Sequence, residues 1–413
     1  MSKASYTPTK DEIKGKKVVL LYSGGLDTSV MLKWIQEHYE VKLVSLTLDL
    51  GQPNKELALI EEKALKLGVE KHYTIDVREE FINEYVIPSL KANALYEGSY
   101  PLHSALSRPL IAKWAVKIAN KENAAAISHG CTGKGNDQVR INIAALSSNP
   151  EIKIIQPIIE WGMLRDQEEE YAKKHGIPIP EKSKYSIDEN LWGRSIECSD
   201  LEFPDQEPSP DAYEWTKDPS TSNEKPEYIE ISFNKGIPFM VDQIKMTPLE
   251  IINKLNILGG KHGVGRIDHL EDRIVGLKSR EIYESPAAVI LIAAHKDLEK
   301  SICTAQEFAF KQIVDQQWAY LCYAGMWTNP LMDDLNAFIN NLNERVDGEV
   351  KIKLYNGNVT IVGRKSKWAL YDYQLATYER TSTFNEKASY GFIELWGLQT
   401  KLYHMIKKKL INN

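Results

Sequence analysis

The residues best suited to chemistry near the amino terminus form the segment Tyr22–Ser29, which has the sequence YSGGLDTS. An apolar run, Val18–Leu21, precedes it and an amphipathic run, Val30–Ile35, follows it. This order predicts a buried strand, a tight glycine loop and the first turn of a helix. Adjacent glycines let the backbone approach a ligand closely, and the first N–H groups of a helix attract anions. The segment therefore predicts a phosphate site; the simpler alternative is an ordinary turn with a polar helix cap.

This loop matches neither of the two common phosphate-binding loops. A Walker A loop needs GxxxxGK[ST], and the dinucleotide fingerprint needs GxGxxG, whereas Tyr22–Ser29 contains no Lys and only one glycine pair. The segment resembles the SGGxD[ST] loop of the N-type ATP pyrophosphatases, which cleave ATP between its α- and β-phosphates. That resemblance implies that the bound anion is the triphosphate of ATP.

A second glycine-rich segment, Ser128–Arg140, has the sequence SHGCTGKGNDQVR. It follows the apolar run Ala124–Ile127, and its three glycines within six residues permit close backbone approach to a ligand. The segment is also rich in side chains that bind ligands: Thr132, Lys134, Asn136, Asp137 and Arg140. A flexible surface loop is the alternative, but this density of polar groups directly after a predicted strand favours a binding loop.

Apolar runs and amphipathic runs alternate over residues 16–171. The predicted strands are Val18–Leu21, Lys42–Leu48, His72–Ile75, Ala124–Ser128 and Lys153–Gln156. The predicted helices are Thr28–His38, Asn54–Leu67, Glu79–Leu90, Ser104–Asn120 and Asp137–Leu146. This alternation predicts an α/β fold with a doubly wound, parallel five-stranded sheet. Ligands bind at the carboxyl edge of such a sheet, where both glycine-rich segments should lie.

The second predicted strand ends at the same edge of the sheet. We expect the main chain of Leu48 to contact a bound base there. Asp49 has two open interpretations, either a metal or ribose partner or a helix N-cap before Asn54.

The second half of the chain differs from the first in its composition and in its pattern of apolar residues. Prolines are frequent over residues 177–226, which predicts irregular surface chain with a polar and aromatic island at Tyr185–Ser195. After Pro226 the patterns predict an α+β region. It includes a strand at Tyr228–Phe233 and a helix capped by Thr247, followed by long helices at Pro286–Lys300 and Thr304–Met326. It also includes a hairpin turning at Asn356-Gly357 and a terminal helix at Ile393–Leu410. We therefore predict a flexible arm over 1–15, a nucleotide-binding domain over 16–183, a synthetase and multimerisation domain over 184–389, and an oligomerisation helix over 390–413.

Composition narrows the class of protein. The 413 residues carry a net charge of −6, which argues against a surface that coats nucleic acid. The four cysteines form no CxxC pair, so we expect reduced thiols in a cytoplasmic protein. No apolar stretch approaches the ~20 residues that span a bilayer, and the polar start is not typical of a signal peptide. We therefore expect neither nucleic acid nor a membrane as a partner.

The two loops together resemble those of the argininosuccinate synthases. The resemblance covers nearly the whole chain from Lys16 onwards. It includes the following further blocks: Ala94–Glu97, Arg108-Pro109, Tyr171–Pro178, Ser186–Leu191, Gly260–Asp268 and Lys278–Pro286. It implies a carbon–nitrogen ligase of arginine biosynthesis. Such an enzyme joins L-citrulline to L-aspartate with ATP and Mg²⁺ and releases AMP and pyrophosphate through a citrulline-adenylate. It also implies a homotetramer with the terminal helix as a contact.

The resemblance also implies residue roles. The expected ATP-binding residues are Tyr22, Ser23, Gly24, Gly25, Leu26, Asp27, Thr28, Ser29, Leu48 and Gly130. The expected aspartate-binding residues are Thr132, Asn136 and Asp137. The expected citrulline-binding residues are Tyr100, Asn136, Arg140, Ser186, Ser195, Glu271 and Tyr283. The expected catalytic residues are Asp27, Ser23, Thr132 and Asp137. No residues are assigned to a metal.

Several of these roles make chemical sense. Arg140 can pair with a carboxylate through two N–H groups, and Asp137, which has no evident cationic partner in the sequence, suits an ammonium ligand. Without the resemblance, Glu271 would be interpreted as part of a solvated charge run. One position departs from the family pattern TSLARP, because Ala105 stands where a citrulline-contacting Ser is usual. Either that contact is lost, or a neighbour such as Ser104 replaces it, or the side chain is unimportant.

Other function classes fit less well. Enzymes that thiolate tRNA use catalytic cysteine pairs and a basic surface, and amidotransferases need a nucleophilic Cys where this chain has Ser2. Class I tRNA synthetases carry HxGH and KMSK motifs, which are missing here. A nucleotide-binding sensor without activity would need the first loop but neither Ser128–Arg140 nor a large second domain.

Overall fold

The computed structural model describes residues 4–52, 57–163, 165–179, 183–221 and 224–412. It divides into two compact units, Met1–Trp368 and Ala369–Asn413. The predicted division at Ser183 and the predicted arm and terminal segment remain predictions, and parts of them (residues 1–3, 180–182 and 413) lie outside the described residues.

A parallel sheet of five strands organises the first half of the larger unit. The strands are β1 (Lys17–Leu21), β2 (Lys42–Asp49), β3 (Lys71–Asp76), β4 (Ala126–Ser128) and β5 (Lys153–Ile155). They lie in the order β3-β2-β1-β4-β5, and every neighbouring pair is parallel. Val18, Val19 and Leu20 of β1 are fully buried, as expected of a central strand covered on both faces. The predicted fold class is confirmed, and strand order reverses between β1 and β4, where such sheets bind ligands.

Helices connect these strands close to the predicted positions, and further helices that were not predicted precede β1 and follow β5. They are α1 (Lys10–Ile13), α2 (Leu26–Tyr39), α3 (Leu57–Lys66), α4 (Arg78–Phe81), α5 (Ile87–Lys91), α6 (His103–Glu122), α7 (Asp137–Ser148), α8 (Pro157–Trp161) and α9 (Arg165–Lys174). A single π-helical segment, Ile82–Val86, joins α4 to α5, so the helix predicted at Glu79–Leu90 is one run with a local change of winding. The predicted start of the second helix at Asn54 lies outside the described residues.

Two antiparallel sheets follow. The first contains β6 (Ser186–Asn190), β7 (Gly193–Glu197), β11 (Arg266–Asp272) and β12 (Lys278–Glu284), in the order β11-β12-β7-β6. The second contains β8 (Glu227–Asn234), β9 (Ile237–Val241), β10 (Ile244–Lys245), β13 (Gly348–Tyr355) and β14 (Asn358–Lys365), in the order β10-β9-β8-β13-β14. The island at Tyr185–Ser195, expected to be irregular, is largely the hairpin β6–β7. Sheet pairing satisfies its backbone groups where local turn signals suggested loop.

The helices of the second half are α10 (Pro248–Lys261), α11 (Pro286–Ile302), α12 (Ala305–Tyr323) and α13 (Pro330–Asn343), with short 3₁₀ turns at Ser199–Glu202 and Pro210–Ala212. The predicted capping of α10 is confirmed: the Thr247 hydroxyl accepts from the Glu250 amide at 3.3 Å and the Glu250 carboxylate accepts from the Thr247 amide at 2.8 Å. Asn356 and Gly357 both have positive φ, which agrees with the predicted hairpin turn.

The smaller unit consists of α14 (Tyr373–Ala376), α15 (Ala388–Trp396) and α16 (Leu398–Ile411). The single terminal helix predicted at Ile393–Leu410 is wrong in detail, because the helix is interrupted at Gly397. None of the residues described in these three helices is buried within the unit. None of the helices described in the chain is long and apolar enough to cross a membrane.

A buried polar cluster in the second half gives a test of stability. The ammonium of Lys311, fully buried, lies 2.5 Å from the Asp315 carboxylate and 3.1 Å from that of Glu299. Asn93 donates to both carboxylates, at 3.2 and 3.0 Å respectively. Burial raises the pKa of Asp315 to about 7, so this carboxylate depends on its cationic partner at neutral pH.

We expect Lys311→Met to destabilise the fold by on the order of 3–5 kcal/mol at neutral pH, because it leaves two buried carboxylates without a cation. The loss should shrink in acid, where the carboxylates take up protons. Urea unfolding at several pH values measures both effects, with Lys300→Met on the exposed face of α11 as the control. Equal midpoints for the two variants would contradict the role given to Lys311.

Candidate active site

The first glycine loop lies between β1 and α2, as predicted. Gly25 is the N-cap of α2 and has an extended backbone, and no side chain caps this helix start. Gly24 has φ +81°, and a Cβ there would lie 2.9 Å from Cγ1 of Ile60 on α3. Glycine is therefore required at position 24 for both its conformation and its close packing. The loop directs the positive end of the α2 dipole into a cleft.

The polar side chains of this loop divide into two groups. The Ser29 hydroxyl is buried, lies 3.0 Å from the Tyr22 hydroxyl and donates to the Gly25 carbonyl at 2.7 Å, so it maintains the loop. The hydroxyls of Ser23 and Thr28 lie 3.2 Å apart at the surface of the cleft, and the Asp27 side chain is exposed there. The second group can contact a bound anion and its counter-ion.

The cleft has a volume of about 680 Å³, which suits a nucleotide. Its lining includes eight of the residues predicted to bind ATP: Tyr22, Ser23, Gly25, Leu26, Asp27, Thr28, Leu48 and Gly130. Gly24 and Ser29 belong to the loop but do not line the cleft. Asp49 does not line it either: one carboxylate oxygen accepts from the Gly51 amide at 2.8 Å, and the other lies 3.5 Å from Arg78.

A second cavity of about 270 Å³ adjoins the first. Gly130, Cys131 and Asp188 line both cavities, so the two form a continuous site. The second lining contains the predicted amino-acid-binding residues Tyr100, Thr132, Asn136, Asp137, Arg140, Ser195, Glu271 and Tyr283. Ser186, also predicted to bind citrulline, is exposed and lines neither cavity.

One face of the sheet β11-β12-β7-β6 supplies much of the second cavity. Asp188 pairs with Ser195, and Ser195 pairs with Tyr283, so these three side chains form a row across three strands. Glu197 and Glu281 lie two residues along their strands from this row and therefore on the same face. The face was missed in the sequence because no strand was predicted over 186–197 or 266–284.

Arg108 joins the two halves of the site. Its Nη2 atom donates to the Asp137 carboxylate at 2.7 Å and to that of Asp188 at 2.6 Å. Arg140 contacts the other oxygen of Asp137 at 2.9 Å. The expectation that Asp137 has no cationic partner is therefore wrong, because α6 brings Arg108 to it from 29 positions earlier in the chain. The two guanidinium groups hold the pKa of Asp137 well below its usual range despite burial.

Arg140 is largely committed to the protein. Its Nε donates to the Tyr323 carbonyl at 2.9 Å and its Nη1 to Asp137. Its Nη2 is buried and has no hydrogen-bond partner among the residues described. The two-pronged contact that we expected is therefore not preformed, because two of the three nitrogens are committed to the protein and the third is shielded from solvent.

Glu271 is buried beside two tyrosines. Its two oxygens accept hydrogen bonds from the hydroxyls of Tyr283 and Tyr323, each at 2.6 Å. The solvated charge run that the sequence suggested does not include this residue, which is only 4% exposed. Tyr323 also accepts from Asn136 at 2.8 Å, and we missed it because it lies at the end of α12, far from either loop in sequence.

The structure shows the surroundings of Ala105, the position that departs from the family pattern. Ala105 is buried and lines neither cavity, whereas the neighbouring Ser104 lines the second cavity and donates to Asp188 at 2.7 Å. This supports the alternative in which Ser104 supplies a polar group at this position.

Burial raises the pKa of the Cys131 thiol to about 12, which makes it a poor nucleophile.

Glu197, Arg273 and Glu281 form a further charged group in the second cavity. The Nη2 atom of Arg273 lies 2.7 Å from the Glu197 carboxylate and 2.5 Å from that of Glu281. The pKa of Glu281 is raised to about 7, mainly by burial and in second place by repulsion from Glu197. This end of the cavity therefore carries more negative than positive charge.

This arrangement predicts a pH effect on stability. The folded chain holds the proton of Glu281 more tightly than the unfolded chain does. The resulting stabilisation is fully present below pH 4.5, the ordinary pKa of this group, and is lost as the pH rises through about 7. We expect the urea midpoint of Glu281→Gln to fall less than that of the wild type between about pH 5 and pH 8. Glu61→Gln, on the exposed side of α3, is the control. Parallel curves for wild type and Glu281→Gln would contradict this assignment.

Comparison with known proteins identifies the relatives of this chain. Residues 17–178 match the arginosuccinate synthase N-terminal HUP domain, and residues 185–403 match the arginosuccinate synthase C-terminal domain. The argininosuccinate synthase of Pyrococcus furiosus is 54% identical over 94% of this chain and 95% of its own length. That of Oceanobacillus iheyensis is 51% identical over 95% of this chain and 94% of its own length. With this similarity along nearly its whole length and both glycine loops at one continuous site, the chain belongs to the argininosuccinate synthase family.

Proposed function

We propose that the two adjoining cavities divide the substrates of this ligase, with ATP in the larger cavity and the two amino acids in the smaller. As a member of its family, the chain catalyses the ATP-dependent ligation of citrulline and aspartate in arginine biosynthesis. The observation that carries the proposal is the shared wall of Gly130, Cys131 and Asp188. Since the cavities meet there, a ureido oxygen in one can reach the α-phosphate of a nucleotide in the other.

The triphosphate would lie against the first loop. The start of α2 and the hydroxyls of Ser23 and Thr28 offer hydrogen-bond donors to its oxygens, and the Leu48 main chain would contact the base. As pyrophosphate leaves, charge develops on the phosphate oxygens, and fixed donors stabilise it without reorganisation. Ser23 and Asp27 would act here, Asp27 through a cation.

A magnesium ion would enter this site as part of its complex with ATP. Mg²⁺ is commonly bound by one or two carboxylates together with substrate phosphates, while it keeps several waters. Asp27 lies exposed at the cleft and can supply one carboxylate. No group of three or more metal-ligating side chains occurs among the described residues, which suits an ion that arrives with its nucleotide.

The amino acids would divide the second cavity by charge. The free nitrogen of Arg140 suits the citrulline carboxylate, and Glu271, with Tyr283 beside it, suits the citrulline ammonium. Tyr100, Asn136 and Ser195 would complete this subsite. The structure offers Ser186 no place in it, so its proposed contact has no support.

Thr132, Asn136 and Asp137 would hold aspartate. Asp137 is ionised because of its two arginine partners, and its oxygens can accept from an ammonium donor. The aspartate amine would lie next to the carbon activated as citrulline-adenylate, and its attack would release AMP. Positioning three substrates around one point accounts for much of the expected rate enhancement.

We also infer a homotetramer in the cytoplasm. The unit Ala369–Asn413 exposes many large apolar side chains, including Tyr378, Leu395 and Trp396. Helices of this length need tertiary packing for stability, and a second copy of the chain can provide it. The four cysteines are free, as is usual for a reducing compartment.

The reaction is tested by isotope exchange. With ATP, citrulline and Mg²⁺ but no aspartate, labelled pyrophosphate should enter ATP. We expect Asp27→Asn to reduce this exchange on the order of a hundredfold while the unfolding midpoint stays near that of the wild type. Asp333→Asn, in the exposed first turn of α13, is a matched control that should leave both unchanged. An equal loss of activity and stability in Asp27→Asn would indicate a structural cap, and no exchange or AMP release in the wild type would reject the reaction.

The assembly is tested by sedimentation velocity. Trp396, 79% exposed, lies on α15, and Trp396→Glu should shift the tetramer to smaller species because it places a charge in an apolar contact. Tyr228→Glu, on the exposed side of β8, is the control and should remain tetrameric. A wild-type chain that sediments as a monomer would contradict the proposed assembly.

A further inference from the structure

The first glycine loop contains no cationic side chain of its own. Tyr22–Ser29 includes neither Lys nor Arg, and its one charged residue, Asp27, is negative. A departing pyrophosphate carries several negative charges, which the weak partial charge of a helix start only partly offsets. Arg108 and Arg194 line the same cleft, and any further positive charge at the loop must come from other parts of the fold.

Helix α3 places one lysine directly on this loop. The Nζ atom of Lys63 donates to the Gly24 carbonyl at 2.8 Å. Ile60, one turn earlier on the same helix face, packs where a Cβ of Gly24 would otherwise lie. Because Ile60 is buried in the same apolar cluster as Tyr22 and Leu26, this contact fixes α3 against the loop. The core therefore fixes the helix that carries Lys63. Lys63 lines neither cavity, so its ammonium lies beside the loop at Gly24 and would meet the part of a triphosphate that extends beyond the cleft.

The surroundings of Lys63 differ from those of its neighbours. No carboxylate forms an ion pair with Lys63 among the residues that the structure describes, whereas Lys66 pairs with Glu62 at 2.5 Å and is 73% exposed. Burial lowers the pKa of Lys63, as expected for a cation whose charge lacks a local partner. An ammonium has three N–H donors, and the Gly24 carbonyl takes one of them.

We propose that Lys63 binds the β- and γ-phosphates of ATP and the pyrophosphate that they become. The proposal rests on the placement of the triphosphate at Tyr22–Ser29. In the first step the citrulline ureido oxygen forms a bond to the α-phosphorus, the bond from that phosphorus to the bridging oxygen breaks, and the electron pair leaves with pyrophosphate. Lys63 stays protonated throughout and offsets the charge that grows on the leaving group.

The test compares three ligands on four proteins by titration calorimetry: AMP, ATP with Mg²⁺, and pyrophosphate with Mg²⁺. We expect Lys63→Met to weaken pyrophosphate and ATP by about tenfold to a hundredfold, the usual value of a lost charged hydrogen bond, and to leave AMP unchanged. Lys63→Arg should restore most of the affinity because it keeps the charge. Lys66→Met, on the same helix, should behave as the wild type. Lys63→Gln replaces the Met variant if that variant does not fold.

Two results would overturn the proposal. If Lys63→Met binds pyrophosphate as tightly as the wild type does, Lys63 does not contact it. If the variant loses AMP and ATP affinity equally, and Lys63→Arg does not restore it, Lys63 only supports the loop through Gly24. The placement of the triphosphate is checked separately, since Ser23→Ala and Thr28→Ala should weaken ATP binding whether or not Lys63 takes part. If neither does, the placement fails and the role of Lys63 fails with it.

Discussion

The arrangement of the active site depends on the bridge that Arg108 forms between Asp137 and Asp188. Asp137 opens α7 after the second glycine loop, and Asp188 lies on β6 of the antiparallel sheet. One partly buried guanidinium and two carboxylates therefore connect the region of the parallel sheet to the antiparallel sheet. An ion pair in this setting contributes little net stability, since desolvation offsets much of its attraction. Its value is geometric, because it fixes the two cavities against each other.

The same bridge determines the charge of the amino-acid cavity. Arg108 and Arg140 keep Asp137 ionised, and together they leave the side of the cavity beside the second loop nearly balanced. The opposite side contains Glu197, Glu271 and Glu281 with only Arg273 among them. The raised pKa of Glu281 follows first from its burial and then from repulsion by Glu197. A zwitterionic amino acid placed between the two sides finds a cationic group for its carboxylate and anionic groups for its ammonium. If the amino acids bind here as proposed, the cavity would orient them through opposite charges that the fold holds apart.

Local sequence signals predicted the parts of the fold that local forces control. The five parallel strands, the helices between them, the capping of α10 by Thr247 and the turn at Asn356-Gly357 follow from periodicity and from backbone preferences. The sheet β11-β12-β7-β6 did not, because its strands carry charged residues that line the second cavity. Glu271 and Glu281 break the usual alternation of polar and apolar residues, and their burial is compensated by hydrogen bonds from Tyr283 and Tyr323 and by the ion pair with Arg273. Tyr323 and Arg108 were missed as site residues for a related reason, since only tertiary packing brings them to Glu271 and Asp137.

The two halves of the chain contribute different kinds of interaction to catalysis. The parallel sheet supplies backbone geometry: a glycine at φ +81°, an uncapped helix start, and hydroxyls at fixed separation. On the proposed placement of ATP, these groups would bind its phosphate chain but would not select the molecule that attacks it. The antiparallel sheet supplies paired charges that line a cavity of about 270 Å³. This cavity is too small to hold a nucleotide and an amino acid together. On the proposed placement of the substrates, cleavage of ATP would be a property of the first loop, and the identity of the attacking group would be set where Asp188 lines both cavities.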